Sequence, residues 1–470
     1  MNQLNPLANP YLSDNGTMHA DAESSDSTTQ VGTGSSTELE FKFKDYVAAC
    51  PTILGGAPLK GGGTSVFFAI MVAYRGIPSN RIPSVNLIDT DSLKILASYD
   101  LVVSSELGGI YTYLDNNNSV VAIDGSRTLK FIQGVYSQEE YSLSLTKEVD
   151  LSPYINEGDS AAGLVPDWQG NTWYATVEGY VGFINAETEK GDVLKLNKFN
   201  QSSESVKNTI SSCPEGVVVA TTYGIYFLKI VDELISLVWY KPYDIGVGRK
   251  PGMLSWGTGT SPTFFGPDKG YEYVTIVDNH YGDDPEGDGN YSNLCVYRTS
   301  DGLEYPKQPI NTSAKGEGNS ASEASVVAFG NSLFVTNTYG YDYPSSIVDP
   351  KDSIPKSADF VGGLMRFDFD GENLLQKWVK SDLFVASVPR LAVNENKLYT
   401  FSLGKLTNPT KDGNNLYYSV LDSETGDLIV NMRYSSLVGN LKQPMGMVIV
   451  IYNNAVYQGT INGIIKVSCK

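Results

Sequence analysis

The chain has 470 residues, 53 of them acidic and 34 basic, and a formal charge of −19. A field of that sign repels phosphate backbones and anionic bilayers, which sets aside nucleic acid as a partner. Hydrophobic residues at 41% suffice for a packed core, yet no apolar run reaches the roughly 18 residues of a membrane-spanning helix. Only 19% of residues are charged, while Gly (46) and Tyr (30) abound. That balance suits an all-β chain with many turns.

Residues 1–38 stand apart. The block Ala22-Glu23-Ser24-Ser25-Asp26-Ser27-Thr28-Thr29-Gln30 leads into Val31-Gly32-Thr33-Gly34-Ser35-Ser36. Such a composition buries too little apolar surface to fold alone. Leu7, Tyr11, Leu12 and Met18 are nevertheless anchors, so an arm laid over a folded body is as good a reading as a free tail. His19 lies in this arm and is one of only two histidines. If the arm docks across a channel, Asp21 or Asp26 would orient His19 or hold a cation. The plain alternative is a solvated tail with no role. Lys60-Gly61-Gly62-Gly63 reads as a hinge between arm and body, not a phosphate cradle.

Beyond residue 60, short β-branched and aromatic runs alternate with Gly, Asn and Asp turns. Val66 to Tyr74 has strand length. Gly216 to Val231 breaks at Tyr223-Gly224. Gly330-Asn331-Ser332, Asn394-Glu395-Asn396 and Tyr452-Asn453-Asn454 each open an alternating strand, which is a hairpin signal. One unit recurs: strand, polar turn, strand, Gly or Asp, strand. Its clearest copy is Asp167 to Leu196, and others begin near residues 66, 104, 209, 261, 321, 386 and 443. The spacing of roughly fifty residues is that of a propeller blade. A lone sheet of this kind leaves both faces apolar, and radial packing buries them. The expected fold is therefore an all-β, eight-bladed β-propeller over residues 39–470, or seven blades if one copy is an insertion. The last copy, Gly446 to Lys470, is one strand short. A strand drawn from residues 39–60 is expected to complete it and remove the open edge.

Cys50, Cys213, Cys295 and Cys469 form no C-x-x-C pair, so neither a zinc ribbon nor a thioredoxin-like motif is indicated. They read as buried thiols, or else Cys50 and Cys469 clasp the two ends of the ring.

Three copies carry a degenerate repeat: Tyr174 to Thr188, Tyr418 to Asp427, and Gly459 to Lys466. The repeat resembles that of quinoprotein-type propellers over residues of about 100–470. The resemblance implies the fold and suggests pyrroloquinoline quinone (PQQ) as a cofactor, but fold does not give function. The chain departs from quinoprotein dehydrogenases in having no adjacent Cys-Cys pair and no C-x-x-C-H haem site, so PQQ gains no support from these residues. The stretches WGTGTSPTFFG (256–266), VTIVDN (274–279), NTYGY (337–341), SVPRLAVNENKLYT (387–400) and MHADAESSD (18–26) resemble a group of secreted propellers to which no activity is attached. That likeness implies a secreted or periplasmic protein, although the first residues show no basic n-region or apolar h-region.

Propellers bind ligands where loops converge on the axis. Residues opening the innermost strands are therefore the candidates. Asp167, Trp168, Thr260, Ser261, Ser325 and Gln443 are read as substrate-binding. His19, Asp21, His280, Glu323 and Arg390 are read as catalytic. The alternative for each is a polar lining that satisfies itself and channel water. The loop VDNHYGDDPEGDGN (277–290) is dense in hard oxygen donors, and Asp278 and Asn279 end a strand, so a calcium site built on these two is expected. The remainder, Asp283 to Asn290, reads as a solvated tip, since its spacing is not that of an EF-hand. His280 would be a general base beside such a metal, or simply a surface residue. Two histidines are too few for a zinc or copper centre. Gly-x-Ser-x-Gly is absent, and Ser261, followed by Pro262, reads as a turn or edge residue.

Three functions follow. The first is a non-redox enzyme (hydrolase, lyase or isomerase) acting on a small organic molecule in the axial pocket. The second is a binding or scaffold ring that uses its tyrosines for contacts. The third is a PQQ-dependent dehydrogenase.

Overall fold

The computed structural model describes residues 8–46, 48–59, 61–74, 81–103, 111–198, 204–313, 318–343, 348, 351–385, 387–404, 415–435, 444–460 and 463–470. Their strands form eight sheets, built from consecutive antiparallel hairpins except where the N-terminal segment adds a strand to the last two. The protein is an eight-bladed β-propeller. The innermost strands, in blade order, are Ala48–Leu59, Tyr113–Leu114, Ala161–Pro166, Ser211–Cys213, Thr263–Phe265, Val327–Phe329, Arg390–Ala392 and Pro444–Tyr452. Each neighbours the next, and the last neighbours the first, so the ring is closed.

Blade 3 illustrates why these sequences form blades. Asn171–Thr176 is buried along its whole length, whereas Lys190–Lys195, at the rim, is exposed or half-buried throughout. Trp173, Phe183, Val217, Val219 and Tyr226 fill the space between blades 3 and 4. Each such side chain contributes about 1.5–3 kcal/mol on burial, and neither sheet could bury them alone.

Leu39–Asp45 pairs with Gly463–Cys469, from Leu39 opposite Cys469 to Asp45 opposite Gly463, and supplies the missing outer strand of blade 8. The closing strand lies within the 39–60 stretch expected to supply it. Ala48–Leu59 is instead the innermost strand of blade 1, so that blade begins well before residue 66. Gly55 and Gly56 look like a turn in sequence but lie in a bulge, where the register shifts between Leu54 and Ala57. Cys213, Cys295 and Cys469 are free thiols, and the Cys469 thiol lies 3.7 Å from the Thr33 carbonyl oxygen. The ring is thus clasped by β-pairing and not by a disulfide to Cys469; the Cys50 side chain lies outside the described residues. No helix among the described residues is long and apolar enough to cross a membrane.

The arm is threaded through the ring. The backbone N–H groups of Ser212, Phe264, Ala328 and Leu391, in blades 4 to 7, donate to the carbonyls of Ala22, Glu23, Ser25 and Asp26 at 2.8–3.0 Å. Five residues of arm therefore bond to four successive blades. Ser27–Thr28 then adds to blade 7 as a parallel strand beside Leu391–Ala392.

Candidate active site in the plugged channel

The turn from Thr17 to Asp26 builds the centre. Thr17 Oγ1 donates to the Asp21 carbonyl (2.7 Å) and accepts from the His19 N–H (3.1 Å). The Asp26 N–H closes the turn on the His19 carbonyl at 3.1 Å. Ala20, Ser24 and Asp26 have φ of 73°, 58° and 54°, a left-handed conformation that costs non-glycine residues about 1–3 kcal/mol each. The bonds to four blades hold it in place.

This fold of the arm sets His19 beside Asp26, with Nδ1 to Oδ2 at 2.9 Å, and aims the opposite ring nitrogen, Nε2, at Ser261 Oγ, 3.1 Å away. When Nδ1 donates to the Asp26 carboxylate, Nε2 is left to accept from the serine hydroxyl. Relative exposures are 3% for His19, 3% for Ser261 and 0% for Asp26. Asp26 Oδ1 faces Arg390 Nη1 at 3.6 Å. Arg390 is fully buried, and its Nε donates to the Ile449 carbonyl at 2.7 Å. Desolvation lowers the Arg390 pKa, opposed by the charges of Asp26 and Asp21.

Glu323 joins this group from blade 6. Its Oε2 accepts from the Leu254 N–H at 2.9 Å. A Cβ placed on Gly259 would lie 2.6 Å from that oxygen, so the carboxyl abuts the segment leading into Ser261. Ser325 Oγ, two residues along, accepts the Ser261 N–H at 2.9 Å. Glu323 is half-buried. Burial pushes its pKa up to about 8, against the Leu254 N–H and the Arg249 charge. Its charge in turn helps raise Tyr111 and Tyr343, after their own burial. Tyr343 packs with Tyr341, Phe360 and half-buried Leu254.

Asp21 accepts from the Ser25 N–H (2.8 Å) and hydroxyl, yet burial still pushes its pKa up to about 6. With Met18, Ser24, Tyr111 and Thr112 it lines a small cavity. Glu23 is buried, neither of its carboxylate oxygens has a hydrogen-bond partner among the described residues, and desolvation holds its pKa well above the carboxylate range.

Other candidates lie elsewhere. Asp167 and Trp168 follow the innermost strand Ala161–Pro166 instead of opening it, because the repeat starts one strand earlier than its clearest sequence copy. They sit at the opposite end of the strands from Ser261 and Glu323. Asp167 accepts from the Gln169 and Asn171 backbone N–H groups, Asn171 Nδ2 and Trp173 Nε1, so its carboxylate is committed to its own turn. Trp168 packs in the blade 3–4 core beside Leu12 of the arm. Thr260 Oγ1 accepts from the Val277 N–H, an internal staple of blade 5. Gln443 falls outside the described residues.

Asp278 is likewise engaged by protein, whereas Asn279 is engaged through its amide nitrogen and its buried Oδ1 has no hydrogen-bond partner among the described residues. Asp278 accepts from Asn293 and the His280 N–H, with Lys307 at 3.6 Å. Asn279 Nδ2 donates to the Ile245 and Gly248 carbonyls. Among the described residues no three His, Cys, Asp or Glu converge as metal ligands. His280 pairs with Asp244 at 2.7 Å, both side chains about two-fifths exposed, and is a surface pair apart from His19. Tyr111 and Glu23 were not singled out by the sequence. Of the two carboxylates expected to orient His19 if the arm docks, Asp26 is the one that does so.

No family model matches the chain, and no curated protein matches it in sequence. Solved structures share its general shape at low identity. The WD40 domain of Toxoplasma gondii coronin is similar at 10% identity and a TM-score of 0.44, with 88% of this chain and 90% of that one covered. A putative 6-phosphogluconolactonase from Bacteroides uniformis aligns at 10% identity and a TM-score of 0.42, covering 81% and 97%. The quinohemoprotein alcohol dehydrogenase of Comamonas testosteroni aligns at 10% identity and a TM-score of 0.39, covering 97% and 80%. Proteins so different in activity say nothing about chemistry here.

Proposed function

We propose that this propeller is a non-redox acid–base enzyme acting on a small organic molecule at the channel mouth. The observation that carries the reading is the buried His19–Asp26 pair reaching Ser261, with Glu323, whose pKa burial pushes up to about 8, two residues from the Ser325 that holds the Ser261 N–H. A carboxyl and an imidazole held in different environments are the two groups that acid–base chemistry needs, one to give a proton and one to take it. The neighbouring aromatic residues supply an apolar wall for the ligand. Hydrolase, lyase and isomerase chemistry all fit. Turnover on a panel of small esters, lactones and hydroxy acids is the test. Glu323→Gln and His19→Asn should each lower kcat about 100-fold or more while the far-ultraviolet dichroism stays that of the wild type. Full activity in both variants retires the reading.

One observation favours a non-catalytic binding ring: the arm fills the channel and leaves His19 and Asp26 almost no exposure. Under that reading Glu323→Gln changes nothing, and losses of binding map to tyrosines on the outer faces. PQQ and secretion rest on sequence resemblance alone. Calcium at Asp278 and Asn279 would have to displace the protein donors that already occupy Asp278.

A further inference from the structure

We propose that Ser261 is a nucleophile, activated by His19 and oriented through Asp26, and that the site cleaves a carboxylic ester or lactone. The inference rests on the acid–base reading above and names its substrate class.

Three atoms carry it. Ser261 Oγ lies 3.1 Å from His19 Nε2, and His19 Nδ1 lies 2.9 Å from Asp26 Oδ2. Both ring nitrogens are thus engaged in the roles that a serine nucleophile needs, and such a set is recognised by geometry, not by chain order. The serine is pinned on its backbone side: its N–H is held by Ser325 Oγ, and Pro262, the next residue, has no N–H to offer. Arg390 stands behind Asp26 on the side away from the imidazole bond, using the other carboxylate oxygen. With Nδ1 donating to Asp26 Oδ2, Nε2 is the nitrogen that faces the serine as acceptor. The base and its orienter both come from the arm, so the serine is armed only when the arm is docked. A small cavity lies against the same arm turn, lined by Met18 and Asp21 on either side of His19 in sequence together with Tyr111 and Thr209.

The chemistry balances without a co-reactant other than water. Ser261 Oγ bonds to the carbonyl carbon while its proton passes to Nε2. The carbon–oxygen bond to the leaving alcohol breaks, and that oxygen takes the proton from Nε2. Water then attacks the acyl carbon and gives a proton to Nε2. The Oγ–carbon bond breaks, Oγ recovers that proton, and the acid departs.

The test uses the full chain and diisopropyl fluorophosphate, a probe small enough for a confined site. The Oγ–phosphorus bond forms, the phosphorus–fluorine bond breaks, and the proton leaves through His19. Intact mass should gain one adduct, mapped by fragmentation to Ser261. The adduct should be absent in Ser261→Ala and form at least 100-fold more slowly in His19→Asn. No adduct on the wild type, an adduct on another residue, or an unchanged rate in His19→Asn overturns the assignment. The wild-type result does not depend on any variant folding. If Ser261→Ala keeps full turnover while Glu323→Gln loses it, the nucleophile is wrong and the acid–base reading stands. If Ser261 labels but Glu323→Gln keeps turnover, the role of Glu323 fails instead.

Discussion

Asp26→Asn should loosen the whole channel, because it removes the nearest countercharge of a cation that water cannot reach. Asp26 and Arg390 each have 0% exposure. The substitution is isosteric, so packing is kept while the charge is lost. Removing one partner of a buried pair costs about 3–5 kcal/mol. The unfolding entropy of about 2.1 cal/mol/K per residue gives about 1 kcal/mol/K for 470 residues. The melting temperature should therefore fall by about 3–5 °C if the ring unfolds as one unit. Differential scanning calorimetry at low salt and at 0.5 M salt reads it, and the drop should barely change with salt, since a buried pair is poorly screened. Arg390→Met alone should cost a comparable amount, with the lost bond to the Ile449 carbonyl contributing. The double variant should be less destabilised than the sum by about 2 kcal/mol or more. A shift under about 1 °C for Asp26→Asn, or strict additivity, would refute a docked arm whose charge is held by Arg390.

Glu323 gives a pH signature. Its folded pKa of about 8 exceeds the usual carboxylate value, so the folded chain holds a proton that the unfolded chain has released. Stability should fall as pH rises from about 4.5 to about 8 and be flat in this term above that. Glu323→Gln should remove that slope and raise the melting temperature at pH 9 relative to wild type; equal melting temperatures at pH 9 would contradict the burial argument. Asp21, at about 6, adds a slope of the same sign below that value. Glu23, 3% exposed, should resist a glutamate-specific protease until the ring unfolds, whereas exposed Glu187 and Glu189 are cut first. Early cleavage after Glu23 in native protein would mean the arm is not seated.

Much of the fold is legible because blades are local. Asn171–Thr176, the Gly179 turn and Tyr180–Asn185 lie within fifteen residues, and their other partners are the strands just before and after them in the chain. Eight such units can be counted along the chain. The start of each unit is harder, since a three-strand copy looks alike whichever strand comes first; this is how Asp167 came to be read as the opening of an innermost strand when it caps the turn beyond one. Blade 1 hid its first strand behind the Gly55-Gly56 bulge for a related reason, as glycine pairs serve turns and bulges alike.

The sequence alone determined that the chain is acidic, all-β, built of blade-sized repeats and short of one strand at its end, because those properties reside in composition and short-range periodicity. It also marked His19, Glu323, Ser261 and Arg390 as unusual. Which of them meet was decided only by the tertiary structure. His19 and Ser261 are 242 positions apart, and nothing in either neighbourhood encodes the distance between them. Closing the ring puts eight innermost strands around one axis, and the arm bonds to four of them in turn. That circular arrangement brings Asp26, His19, Ser261 and Arg390 within reach and keeps His280, an equally good candidate by residue type, on the surface beside Asp244.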